Sequence, residues 1–294
     1  MRIPVVTLLV LALTAGQSPA QQRAKNTDIH GTMMDVDISG SLYVVDGDKN
    51  TVTLYSADGK RMREIGGQGW ENDQFDHPGG IWARNGIDVF IADYGNHRIQ
   101  RYDRSLNFVA TLSTHDSGNP DERFGYPTDV AVSRLGDLFI CDSENTRVVK
   151  VDRFSQVERT FGGFDAGKGR LQSPSQLEIG PRDCVYVLDG SRILVFDAFG
   201  NFLHEFGTGL FKEPRTLYAD ADRIAVADAE MIYCFDANER PVASTSLQSV
   251  TGPEHQELHA TALSKEKLYL LVSGGLVSSP NPCSGGGREN LDKQ

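Results

Sequence analysis

The sequence predicts an all-β chain built from a repeated four-stranded unit, on three observations. The register Leu42-Tyr43-Val44-Val45-Asp46 returns as Val89-Phe90-Ile91-Ala92-Asp93, Leu138-Phe139-Ile140-Cys141-Asp142, Val185-Tyr186-Val187-Leu188-Asp189 and Ile224-Ala225-Val226-Ala227-Asp228. A sixth copy, Leu268-Tyr269-Leu270-Leu271, has Val272 where the aspartate stands elsewhere. The steps between copies are 47, 49, 47, 39 and 44 residues, the spacing of four-stranded propeller blades or a similar array. Thirty glycines punctuate the chain, as a turn-rich β-protein requires.

The third copy shows how each unit is read. Residues 128–132, 138–142, 147–152 and 156–161 carry the apolar alternation and β-branched content of strands, and Gly, Asp, Asn and Ser break the chain between them. A sheet of four short strands cannot bury both faces alone. Packing face to face around a closed ring removes both faces from water, so the units must come as a set.

Further details resemble the NHL repeat. That family's unit has a proline opening the first strand, an aspartate ending the second, Asn-x-Arg before the third, an aromatic-Asp close and a terminal Phe-Gly. The second unit has Pro78, Asp93, Asn96-His97-Arg98 and Tyr102-Asp103. The third has Pro127, Asp142, Asn145-Thr146-Arg147, Val151-Asp152 and Phe161-Gly162, and the fourth Pro174, Asp189, Arg192, Phe196-Asp197 and Phe206-Gly207. The fifth keeps Pro214, Asp228 and Phe235-Asp236 without the Asn-x-Arg. The resemblance covers roughly residues 31–276 and implies a six-bladed β-propeller of four-stranded antiparallel blades, with which the count of six registers agrees. The last blade is expected to be degenerate, because Pro280 and Pro282 disfavour a regular central strand after Leu276. Its outermost strand is expected from residues 23–30, and the Gly-rich tail, 284–294, is expected to be disordered.

The N-terminus has the form of an export signal. Arg2 supplies a positive charge, residues 5–13 are apolar apart from Thr7, and Ser18-Pro19-Ala20 offers small residues for cleavage after position 20. A transmembrane anchor needs roughly twenty apolar residues, and no later segment is long or apolar enough either. The expected organisation is a signal peptide at 1–20, a propeller at 21–283 and a tail at 284–294, in the periplasm or outside the cell. Four cysteines, at 141, 184, 234 and 283, allow three complete pairings, and the sequence does not choose among them. Cys141 takes the place of Val45, Ala92, Leu188 and Ala227 and reads as a small core residue.

A net charge of −11 argues against a phosphate-tracking nucleic-acid surface. RNA binding, known for NHL domains of some cytoplasmic regulators, is disfavoured on the same ground. The recurrent aspartates could suggest catalysis. An aspartate closing a strand before a tight turn instead accepts backbone N–H bonds, and the Asn-x-Arg arginines can pair with it, so fold maintenance is expected. Asp46-Gly47-Asp48-Lys49-Asn50 begins like a calcium loop, but Thr51 and Ala57 occupy the places of its glycine and glutamate. The clusters around Gly66, Gly162 and Gly167 lack the lysine and hydroxyl residue of a phosphate loop and read as blade connections.

Two propeller enzymes related to this family use an axial metal. In the lyase that cleaves peptidyl-hydroxyglycine, histidines converge on the axis, several after a proline. Here Gly79, Thr128, Ser175 and Arg215 follow the opening prolines; His259 alone falls close to an axial place, and His77 just precedes a proline. Gluconolactonase-like propellers hold calcium with an axial Glu, Asn and Asp, to which Glu178 and Asp129 could contribute. No cofactor is expected; a single calcium or zinc belongs to this alternative.

Aligned first strands put Thr32-Met33, Gly79-Gly80, Thr128-Asp129, Ser175-Gln176, Arg215-Thr216 and Leu258-His259 around one opening. Side chains that vary on a repeated scaffold are where a site is built most economically. Asp129, Gln176, Arg215 and His259 are the expected ligand-binding set at this mouth. Tyr94, Tyr126 and Trp82 either furnish aromatic contacts near the same rim or pack between blades, and packing is the expected role. The expected function is a monomeric exported module that binds a protein, peptide or glycan, with no catalytic residue assigned.

Overall fold

The computed structural model describes residues 24–153, 155–254 and 256–284; the proposed signal segment, His255 and residues 285–294 lie outside that range. The chain starts with β1 (Ala24–Asn26). Blade 1 is β2 (Met33–Val36), β3 (Leu42–Asp46), β4 (Thr51–Tyr55) and β5 (Arg61–Gly66). Blade 2 is β6 (Pro78–Trp82), β7 (Asp88–Asp93), β8 (Arg98–Asp103) and β9 (Phe108–Leu112). Blade 3 is β10 (Pro127–Val132), β11 (Leu138–Asp142), β12 (Arg147–Val151) and β13 (Val157–Phe161). Blade 4 is β14 (Pro174–Ile179), β15 (Val185–Asp189), β16 (Arg192–Phe196) and β17 (Phe202–Phe206). Blade 5 is β18 (Thr216–Ala219), β19 (Arg223–Ala227), β20 (Met231–Asp236) and β21 (Pro241–Ser246); a short helix, α1 (Leu247–Thr251), leads on to β22 (Leu258–Leu263), β23 (Lys267–Val272) and β24 (Gly275–Pro280).

The six sheets are antiparallel and four-stranded, and the sixth has the order β1-β24-β23-β22. Ala24, Lys25 and Asn26 pair with Ser278, Val277 and Leu276, so the start of the described chain supplies the outermost strand of the last blade. That blade, degenerate in sequence, is complete in strands. Pro280 ends β24 opposite Lys267 and Pro282 opens a 3-10 turn, so neither breaks the ladder. The inner strands β2, β6, β10, β14, β18 and β22 each touch the next, and β22 returns to β2, closing the ring.

The core lies between blades. Tyr43, Phe75, Tyr102 and Leu106 fill the joint of blades 1 and 2, Phe139, Phe161 and Phe196 that of blades 3 and 4, and Tyr186, Phe211 and Phe235 that of blades 4 and 5. Cys141 is fully buried at the predicted core place. Cys234 and Cys283 form a disulfide, tying blade 5 to the segment after β24, while Cys141 and Cys184 are free thiols.

The repeated aspartates behave as the residue pattern suggests. Buried Asp93 accepts from the Asp76 amide (2.8 Å), the Asn96 side chain (2.9 Å) and Arg98 Nε (2.7 Å). Arg98 then donates to the carbonyls of Trp70, Glu71 and Gln74, which fixes the connection entering the blade. Asp142 accepts from Asn145 and Arg147 in the same way. Asp189 takes two amides, Gln172 and Ser173, together with Arg192. Each clasp satisfies buried backbone donors that the turn would otherwise strand.

Candidate functional site

The starts of the six inner strands define an upper face, which also carries the turns between second and third strands. Most of the inner strands carry an irregularity at their second place: the register slips at Pro127/Asp129, Pro174/Gln176 and Leu258/Ala260, and over two residues at Pro78/Ile81. The bulge takes Thr128, Ser175 and His259 out of the ladder at its upper end. The following residues, Met33, Gly80, Asp129, Gln176, Thr216 and Ala260, form a ring one step deeper.

That deeper ring stitches blade to blade. Asp129 accepts from the amide of its neighbour Val130 (2.9 Å) and from that of Leu177 in blade 4 (3.0 Å). Gln176 accepts from the Leu217 amide in blade 5 (2.7 Å) and donates to the Arg215 carbonyl (3.3 Å). Thr216 and Thr261 join blades 5 and 6 through their hydroxyls, 2.8 Å apart. Gly80 is required beside Asp129, because a Cβ there would collide with its carboxylate. Burial raises the Asp129 carboxyl to about 7, against the two amides that lower it.

Of the four residues expected at the mouth, Asp129 and Gln176 are therefore only 8% and 7% exposed, with side chains committed to neighbouring blades. Arg215 stands at the opening and pairs with Glu257 at 2.6 Å. His259 is half-buried at its bulge. The set shares one end of the axis, divided between a buried layer and an exposed one.

The lower end holds Glu178, named above as a possible axial carboxylate, together with Arg84 and Asp35, which were not singled out from the sequence. Arg84, just past β6, reaches across the axis to Asp35 of blade 1 (3.2 Å), to Glu178 of blade 4 and to the Ala219 carbonyl of blade 5 (2.6 Å). Its guanidinium lies 4.3 Å from the centre of the Tyr218 ring. Burial works against the charged guanidinium, but Glu178 and Asp35 outweigh it and hold its pKa above the usual arginine value. Asp35 also accepts from the Ala83 amide (2.9 Å) and so repeats, for blades 1 and 2, the stitch that Asp129 makes. The axis is thereby plugged, with only ≈ 20 Å³ of free space inside, room for about one water. The available signal was a charge two residues after the deeper-ring position of apolar inner strands, Asp35 after Met33 and Glu178 after Gln176, with a cation just beyond such a strand, Arg84.

The upper rim carries exposed aromatics. Tyr94 and Tyr126 are 37% and 39% exposed, with ring centres 5.1 Å apart, and the His97 ring lies 4.1 Å from Tyr126. Trp70 is 64% exposed on the connection that Arg98 and Asn96 pin, its ring centre 5.7 Å from the Arg98 guanidinium. The two tyrosines thus meet across the joint of blades 2 and 3 and are also part-exposed at the rim, because each follows or precedes a strand end at the upper face. Trp82 does pack inside, 8% exposed against Phe90. Among the described residues, no three His, Cys, Asp or Glu side chains converge as a group able to hold a metal.

Residues 124–151, the heart of blade 3, match the NHL repeat model. The chain is 30% identical over 138 residues to the protein brain tumor of Drosophila melanogaster; the match takes in 46% of this chain and 13% of that protein, a small part of its length. Among solved structures, a selenomethionine-substituted virginiamycin B lyase from Staphylococcus aureus superposes with a TM-score of 0.60 at 13% identity, over 88% of this chain and 97% of that one. A streptogramin B lyase gives 0.58 at 14% identity, over 84% and 78%. At that identity the likeness speaks for the fold alone. The repeat match, the Asp and Arg clasps and the closed ring of six blades make this chain an NHL-repeat β-propeller.

Proposed function

We propose that the chain is an exported binding module that uses its upper rim to hold a protein, peptide or glycan. The observation that carries this is the gathering of Trp70, Tyr94 and Tyr126, all exposed, around a turn locked by the Asp93, Asn96 and Arg98 clasp. Pre-positioned aromatic side chains give large contact area for little ordering cost, and Trp and Tyr are enriched where partners dock. Arg215, Glu257 and His259 at the neighbouring opening would supply polar contacts to the same ligand. Export is supported by the apolar stretch at 5–13 and by the Cys234–Cys283 disulfide, which suits an oxidising compartment.

The test is a screen of the folded chain against arrays of peptides and glycans, repeated with the double variant Trp70→Ser/Tyr94→Ser. Ligands of the rim are expected to lose at least about ten-fold in affinity, the range of an aromatic hot spot. Ligands indifferent to the double variant would overturn the assignment.

The alternative is a metal-dependent enzyme of the lyase or lactonase kind. The solved lyases share the fold, and one of them is a catalytically inactive virginiamycin B lyase with quinupristin. The strand starts around the opening hold Thr32, Gly79, Thr128, Ser175, Arg215 and His259, and Glu257 stands beside them, so one imidazole and one carboxylate already paired with Arg215 are on hand. Elemental analysis of the purified protein decides: one tightly held zinc or calcium per chain, lost in His259→Ala, would favour the enzyme.

A further inference from the structure

The joint between blades 2 and 3 differs from its neighbours on the lower face. In five blades the turn from third to fourth strand has the same two hydrogen bonds, and its fourth residue takes positive φ: Gly59, Leu106, Ser155, Gly200 and Glu239. That residue leans on the preceding blade. At the joint of blades 1 and 2, Leu106 is fully buried in the cluster containing Tyr43, whose hydroxyl donates to the Arg104 carbonyl (2.7 Å). At blades 4 and 5, Glu239 accepts from the Tyr186 hydroxyl (3.0 Å). At blades 3 and 4, Gly200 lies so close to the Phe161 ring that a Cβ would meet it at 2.4 Å. At blades 2 and 3 the corner residue is Ser155, exposed, and the aromatic at the place of Tyr43 and Tyr186 is Phe90, which has no hydroxyl and turns instead to Trp82 and Arg101.

The result is a cleft of ≈ 510 Å³, within the range that holds a small organic ligand. Its walls are apolar, including Trp82, Phe90, Leu112 and Val132. Its charged lining holds four arginines, 84, 101, 134 and 153, against Asp88 and Asp152, on a chain whose net charge is −11. Arg84 is committed to the axis and Arg101 to Asp88 (2.8 Å). Arg134, 65% exposed, is held only at 3.4 Å by Asp183 on the surface.

We propose that this cleft binds an amphipathic organic anion, a carboxylate or sulfonate on an aromatic or aliphatic body, with the body between Phe90 and Val132 and the acid group beside Arg134. The site is on the face opposite the aromatic rim and stands independently of the function proposed there.

The experiment titrates the folded chain with 8-anilinonaphthalene-1-sulfonate, followed by fluorescence, and displaces it with decanoate, decanol and decyltrimethylammonium. Saturable binding displaced best by decanoate is expected. Ser155→Leu restores the side chain that the first joint carries at the same positive φ, so it should fill the corner without strain and weaken probe and decanoate by about ten-fold or more. Arg134→Glu, a surface change that leaves the core untouched, should weaken decanoate by about five-fold and decanol not at all. Absence of saturable binding, equal displacement by the cationic amphiphile, or a folded Ser155→Leu protein with wild-type affinity would each overturn the proposal. Should Ser155→Leu not fold, Arg134→Glu with unchanged decanoate affinity would do so.

Discussion

Blades 2 and 6 solve the same problem by different means. Blade 2 fixes its upper edge locally: Asp93, Asn96 and Arg98 lie within six residues and clamp the incoming connection through Arg98. Blade 6 has Val272 at the aspartate's place and no Asn-x-Arg, and it is held by partners distant in sequence: β1 on the edge of β24, and Cys234 bonded to Cys283 across 49 residues. A ring has to be closed once, and closure joins blade 6 to segments far from it in sequence. The local clasp and the distant tie are therefore alternatives, and each can be broken separately.

The largest effect is expected from Arg98→Ala, which leaves Asp93 fully buried without its cation, strips the Trp70 carbonyl of its donor and takes one of two donors from the Glu71 and Gln74 carbonyls. It should cost about 3–5 kcal/mol in denaturant unfolding. A cost under 1 kcal/mol would show that the clasp only decorates the turn. Opening the other tie with Cys234→Ser/Cys283→Ser should cost about 4 kcal/mol, judged by the loop of 49 residues that the disulfide closes. Its first symptom should be faster amide exchange in β24 and β1 than in blade 2. If exchange rises evenly around the ring, closure is not the weak point.

Restoring the repeat's aspartate by Val272→Asp sharpens the comparison. Val272 is buried, and its blade has no arginine at the clasp place, so the change should destabilise by about 2 kcal/mol instead of helping. Thermal melts of that variant decide whether the aspartate acts alone or only with its arginine.

The most gradual effect is a pH slope from the stitches between blades, spread over about three pH units. The folded-state carboxyl of Asp129 keeps its proton to about pH 7, whereas an unfolded aspartate loses it near pH 4. Between those values the native state binds more protons. This contribution to stability is full below about pH 4 and is lost as pH rises towards 7, by about 1 kcal/mol per pH unit in the upper part of the window. Urea midpoints at successive pH values should show the slope, and Asp129→Asn should flatten it whatever its own stability.

Much of this could be read from the residues. The register ending in aspartate gave every second strand within a residue or so, because side chains that alternate into two blade joints must be apolar in a fixed order. The Asn-x-Arg signature marked the clasps for the same local reason. The mouth was less legible. Asp129 and Gln176 were correctly placed in one ring, yet whether a polar side chain faces solvent or the next blade's amide depends on the approach of two strands 41 to 48 residues apart. Tyr94 and Tyr126 illustrate the reverse, aromatic residues that the strand ends leave on the rim.

By itself the sequence determined what is periodic: the six units, their antiparallel strands, the clasps and the core. Each depends on contacts within some twenty residues or on a pattern that every blade repeats. Only the tertiary structure decided what occurs once and was not foreseen: the pairing of Cys234 with Cys283, the Arg84 plug and the open joint beside Ser155. These rest on non-repeated residues brought together by ring closure, and a linear pattern carries no signal for a contact that it makes a single time.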